Sequence, residues 1–287
     1  MKKCLAVFLV TLLSATVLSG TPLIQKGERI VFIGASITAF GNYPEGYISL
    51  VREFLKHNKI QVEIFPRGIS AQTSREMSKR AAKDLSDSKA TWLVLSCGVN
   101  DVGLNRTYDE FTRNYTAILD AAAKAQCKVL LLTLSPHGEE LNKERNDRIR
   151  KFNDFIRSKA VERKFPLAEV SAEMTKQLEA RKDVYVLKVT TDNIHLNGYG
   201  NRAFACAVLR AWQFEEAAIK QAVSRWNKRQ IITPLINNFF RPTWLISIED
   251  YEVLERAAKR EKLSVEQFVK HELLQKVKQL REKENNQ

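Results

Sequence analysis

Histidine and cysteine are scarce in this chain, four of each in 287 residues. Neither falls into a ligand pattern. His57, His137, His195 and His271 stand far apart and no Cys-x-x-Cys pair occurs, which argues against a structural zinc site. Cys97, Cys127 and Cys206 sit in apolar settings, "VLSCGV", "QCKVLLL" and "FACAVL". Three thiols cannot all pair, so small buried hydrophobes are their expected role, with a disulfide between two of them as the alternative. Low-complexity tracts and internal repeats are absent as well. The N-terminal apolar run, roughly 14 residues in "MKKCLAVFLVTLLSATVLSG", is shorter than the ~20 that a spanning helix needs. Two lysines before it and small residues after it give the layout of a secretory signal peptide over residues 1–20, a retained anchor being the alternative. Thr21 stands where a lipoprotein would carry a cysteine. The mature protein is therefore expected to be secreted or periplasmic, without stable membrane insertion once the signal is removed.

Acidic residues are outnumbered, 33 against 46 Lys and Arg, for a net charge of +13. Residues 241–287 hold 10 Lys and Arg and 9 Asp and Glu, leaving 36 and 24 in residues 1–240, so the excess is spread over the larger part. A solvated basic surface explains that spread better than a nucleic-acid face, and no nucleic-acid partner is expected.

What is present is an alternation. "RIVFIG" (29–34), "QVEIF" (61–65), "TWLVLSC" (91–97), "KVLLLTL" (128–134) and a weaker "FPLAEV" (165–170) read as strands. Near-continuous hydrophobicity in the first, third and fourth means both faces are covered, as in a parallel sheet between helix layers. Pro44 suits a first helical position before the stripe Tyr47, Leu50, Val51, Phe54, Leu55. Thr107 and Glu110 make a capping box before Phe111, Tyr115, Ile118 and Leu119. Helices near 140–164 and from about 198 to 225 complete an α/β doubly wound domain over 21–225. The proline and paired asparagines of 226–240 mark a linker. Residues 241–287 then read as a strand, "RPTWLISI", and two helices, the second capped by Ser264 with Gln267.

In such a sheet, ligands bind beyond the carboxyl ends of the strands. The first strand ends there in Gly34-Ala35-Ser36, the second runs into "PRGISAQTS" with Gly68, and the third into "CGVND" with Asn100 and Asp101. Far downstream, in "TDNIHLNGYG", Asp192 precedes His195 by three residues. In a turn, that spacing lets a carboxylate hold one imidazole nitrogen and leaves the other free to take a proton from a serine hydroxyl. Each piece alone also reads as a turn or a cap. Together they supply nucleophile, base, orienting acid and oxyanion donors.

These blocks resemble the GDSL-type or SGNH hydrolases, whose four named positions match Ser36 in "FIGASIT", Gly68 in "RGISAQT", Asn100 in "GVND" and His195 in "DNIHLN", with Asp192 in the family's Asp-x-x-His pair. The resemblance spans about residues 28–212. It implies a flavodoxin-like three-layer α/β/α fold with a parallel sheet, no metal and no cofactor. It also implies ester hydrolysis through an acyl-enzyme on Ser36, with Asp192 and His195 as partners and Ser36, Gly68 and Asn100 forming the oxyanion hole. Two positions depart from the family pattern: Ala35 replaces the usual Asp after the first glycine, and Pro66 replaces an Asn before Arg-Gly. The first departure bears on rate or loop rigidity rather than on reaction type.

No long apolar insertion of the kind a lipase lid needs separates the blocks. The expected substrate is thus a small-molecule or glycan ester, with small acyl groups on acetylated carbohydrates favoured. The alternatives are a lysophospholipase or lipase-type esterase, and a non-catalytic relative that binds acylated glycans. The tail resembles a ribbon-helix-helix module, but Thr243, Leu245 and Ser247 offer no cation to bases and the tail is nearly neutral. A helical appendage that forms a homodimer or packs on the chain itself is the expectation, ahead of a DNA-binding protein with a spurious signal.

Overall fold

The computed structural model describes residues 21–180, 182, 188–228 and 248–285. The expected signal peptide, most of the linker and the strand before the tail helices lie outside them. The described residues divide into two units, one before Phe240 and one after it.

The larger unit runs β1 (Arg29–Gly34), α1 (Ser36–Gly41), α2 (Tyr47–His57), β2 (Glu63–Gly68), α3 (Ser74–Asp87), β3 (Trp92–Leu95), α4 (Val99–Gly103), α5 (Tyr108–Lys124), β4 (Lys128–Leu132), α6 (Glu144–Arg163), β5 (Leu167–Ala168), α7 (Val170–Ala180), α8 (Gly198–Ala211) and α9 (Glu216–Asn227). All five strands are parallel, in the order β2-β1-β3-β4-β5, the flavodoxin-like arrangement. Its switch point falls between β1 and β3, and Ser36 follows the carboxyl end of β1.

The unbroken apolar runs have a direct cause. Along β1, Ile30 and Phe32 face one core while Val31 and Ile33 face another. Trp92 and Val94 alternate likewise with Leu93 and Leu95 on β3, and Leu130 and Leu132 with Val129 and Leu131 on β4. One core is closed by α2, α7, α8 and α9, the other by α3, α5 and α6. Each fully buried Leu, Ile or Phe stabilises the fold by roughly 1.5–3 kcal/mol of transfer free energy, so two such layers explain why the central strands read clearly in the sequence. Cys97, Cys127 and Cys206 are free and buried, and burial pushes all three thiols up, Cys206 to about 11.

Several boundaries differ from the sequence reading. β2 begins two residues later and continues through Pro66 to Gly68. It lies at the sheet edge, and its odd-numbered residues donate toward β1, as Glu63 does to Glu28 and Ile69 to Gly34. Pro66, on the opposite parity, needs no N–H for the ladder. Pro44 stands in a turn rather than at the head of α2, because Glu45 after it has a left-handed backbone with φ 63°. The single helix expected over 198–225 is two, broken where Gln213 takes φ 64°. Beyond 225, α9 runs to Asn227 with Trp226 fully buried. Thr107 does cap α5, its side chain accepting the Glu110 amide.

The second unit holds α10 (Ile248–Arg260) and α11 (Val265–Glu284). Ser264 and Gln267 form the capping box of α11, Ser264 Oγ accepting the Gln267 amide at 3.2 Å and Gln267 Oε1 accepting the Ser264 amide at 2.9 Å. Among the described residues, no helix is long and apolar enough to cross a membrane.

Candidate active site

Gly34 ends β1 under α1, where a Cβ would lie 2.0 Å from the Thr38 hydroxyl oxygen. No side chain fits, so the chain turns there directly into the helix whose first residue is Ser36. Ala35, the residue before α1, supplies no side-chain cap. The turn is fastened instead by Arg80, which donates to the Gly34 carbonyl at 3.1 Å and is itself paired with Asp84. An arginine from α3 therefore braces the nucleophile turn that the family's acid would support.

Ser36 is 8% exposed and its Oγ lies 2.9 Å from His195 Nε2. On the other side of the ring, His195 Nδ1 lies 2.6 Å from Asp192 Oδ2. With Asp192 ionised, Nδ1–H donates to the carboxylate, and the Nε2 lone pair faces the serine hydroxyl. Asp192 Oδ1 also accepts the amides of Ile194 and His195, at 3.0 and 2.7 Å. Burial alone would raise the Asp192 carboxyl, but the bonds from the imidazole and the two amides outweigh it and hold the group below its ordinary value. The carboxylate therefore survives mild acidification, and its contribution is lost only as pH falls below the ordinary Asp range. Phe40 packs on the imidazole, with ring centroids 5.0 Å apart.

Beside Ser36 opens a small cleft, continuous with solvent, walled by Ile37, Gln72, Met77, Asn100 and Ile194. Asn100 Nδ2 donates to the Gln72 carbonyl at 2.9 Å. That bond uses one of its two hydrogens and fixes the amide plane, leaving the other hydrogen for an oxygen in the cleft. Gln72 is in turn tied to Arg80, whose Nε donates to Gln72 Oε1 at 2.7 Å. Asp101 does not face the cleft: it is fully buried and accepts the Ser74 amide and hydroxyl at 2.9 and 2.5 Å. Burial pushes its carboxyl up, against those bonds.

Gly68 pairs with Gly34 at the end of β2 and does not line the cleft. A Cβ there would lie 2.1 Å from the Ala39 amide nitrogen, so the close approach of α1 already requires glycine. By strand parity its N–H points away from β1, toward the free edge of the sheet. Ser36, Asn100, Asp192 and His195 thus converge, whereas Gly68, expected among the oxyanion donors, packs against Ala39 outside the cleft. Gln72 and Arg80, which orient Asn100 and the nucleophile turn, carry no sequence motif; only the fold brings them to the site. Among the described residues, no group of three or more His, Cys, Asp or Glu is placed to hold a metal ion.

Residues 32–203 match the GDSL-like lipase/acylhydrolase family. The acetylxylan esterase of Geobacillus stearothermophilus is 26% identical over 219 residues, spanning 67% of this chain and 97% of that protein. Its crystal structure superposes with a TM-score of 0.60 at 21% identity, over 67% of this chain and 97% of that one. A second acetyl xylan esterase of known structure is 28% identical, with a TM-score of 0.59 over 63% of this chain and 98% of its own.

Proposed function

Since the chain belongs to the GDSL-like lipase/acylhydrolase family and is an ester-bond hydrolase, we propose that it removes small acyl groups, acetyl foremost, from carbohydrates through an acyl-enzyme on Ser36. The observation that carries the mechanism is the unbroken line from Asp192 through His195 to Ser36, 2.6 and 2.9 Å at its two joints. His195 takes the Ser36 proton as Oγ attacks the ester carbonyl. The negative charge that develops on the carbonyl oxygen meets the free Asn100 hydrogen and the Ser36 amide, which lies in the first turn of α1 where helical N–H groups lack partners. Gly68, outside the cleft and with its amide turned toward the free sheet edge, adds no donor there. His195 then protonates the leaving alcohol, and water admitted to the same place releases the acid.

The carbohydrate assignment draws on the two acetylxylan esterases and on the absence of a lipase-like apolar insertion. The reading includes export, supported by residues 1–20. Asn100→Ala should lower kcat by about 10²–10³-fold, the usual cost of one oxyanion donor. The test of substrate compares acetylated xylo-oligosaccharides with p-nitrophenyl esters of increasing chain length. Rates that rise with acyl length, with no turnover of acetylated sugars, would point to a lipase-type enzyme instead.

A further inference from the structure

We propose that Glu139 is a positioning residue for the acid–base pair, holding Asp192 and His195 against Ser36 by gripping the backbone that leads into them. The inference rests on the catalytic reading given above. Glu139 lies in the connection between β4 and α6. Its Oε2 accepts the Lys188 amide at 2.7 Å, and its Oε1 accepts the Val189 amide, the Thr190 amide and the Thr190 hydroxyl at 2.8, 2.9 and 2.8 Å. Three successive amides and a hydroxyl converge on one carboxylate, a backbone nest around an anion. Such charge-assisted bonds are roughly twice as strong as neutral ones.

A second fastening lies beyond Asp192: the Gly138 amide donates to the Asn193 carbonyl at 2.8 Å. Between these two points the loop is closed on itself. Thr190 bridges Leu196, the Thr191 amide donates to the His195 carbonyl at 2.7 Å, and the Asn197 amide donates to the Val189 carbonyl at 3.1 Å. A ring tied this way moves as a unit, so where it is fastened decides how far His195 stands from Ser36. The fastening is itself anchored. Asn146, in the first turn of α6 and 3% exposed, accepts the His137 amide at 2.8 Å and donates to the Glu140 carbonyl at 2.9 Å. Support thus passes from α6 through the 137–140 connection and Glu139 to the loop whose imidazole meets Ser36.

Glu139 contacts neither the serine nor the imidazole, so its loss should displace the pair without removing any reacting group. A misplacement of about 1 Å costs on the order of 10²-fold in rate. The test measures kcat and KM on p-nitrophenyl acetate for Glu139→Gln, Glu139→Ala and Glu139→Asp, together with the final stoichiometry of fluorophosphonate labelling. Expected are a kcat about 10–100-fold lower in Gln and Ala at unchanged KM, full final labelling, and partial recovery in Asp, which keeps the charge. Wild-type kcat in Gln, an Asp variant no better than Gln, or a loss of kcat matched by an equal loss of labelled chains would each overturn the proposal. His195→Ala is the control. Should it keep the wild-type rate, the catalytic reading itself fails; should it be inactive while Glu139→Gln is not, only the role of Glu139 fails.

Discussion

Ser36→Ala is expected to lower kcat on p-nitrophenyl acetate by about 10⁶-fold and to abolish fluorophosphonate labelling. The magnitude follows from what serine and histidine do together: removing the nucleophile of such a unit costs about as much as removing the whole unit. The substitution deletes one oxygen and leaves the rest of α1 intact, so the fold should be retained and the melting temperature little changed. A residual rate about 10³–10⁴ above that in water should persist, because Asn100 and the neighbouring amides still face the cleft. An unchanged melting temperature with no burst separates this outcome from a folding defect. A Ser36→Ala protein that hydrolyses the ester at the wild-type rate would rule out the acyl-enzyme. A wild-type protein that neither hydrolyses nor labels would favour the glycan-binding relative.

How legible each part was in the sequence follows from how local its cause is. β1, β3 and β4 could be read because both faces of each strand are buried, so every residue in the run is constrained to be apolar. β5, of two residues, carries almost no such signal. α8 and α9 merged because their break depends on the backbone of Gln213, a residue type with no turn preference strong enough to announce it. At the site, Asp192 and His195 are three apart and bonded within one loop, so their relation is written locally. Ser36 lies 159 residues from His195, and before the fold they were joined only by the coincidence of complementary groups and by the resemblance to a family. Arg80 and Glu139 left no trace for a different reason: each grips backbone atoms, and backbone is the same in every sequence. A carboxylate that recognises amides leaves no complementary residue type to find.

Asp192→Asn should lower kcat by about 10⁴-fold while leaving the loop in place. The reason lies in which atoms the substitution changes. Asp192 Oδ1 accepts the Ile194 and His195 amides, and an asparagine oxygen accepts the same two bonds. Oδ2, which receives the imidazole Nδ1 proton, becomes an NH₂ group that donates. The ring then accepts at Nδ1, carries its proton on Nε2, and presents a donor to Ser36 where a base is needed. Asp192→Ala removes the loop bonds as well as the tautomer control. Comparing the two variants therefore separates orientation of the ring from support of the loop. If Asn and Ala lose stability equally, or if Asn retains more than a tenth of the wild-type kcat, the carboxylate acts as a structural tether and the base needs no partner. If Asn is stable but slow, the chemistry depends on a single proton held on the right nitrogen.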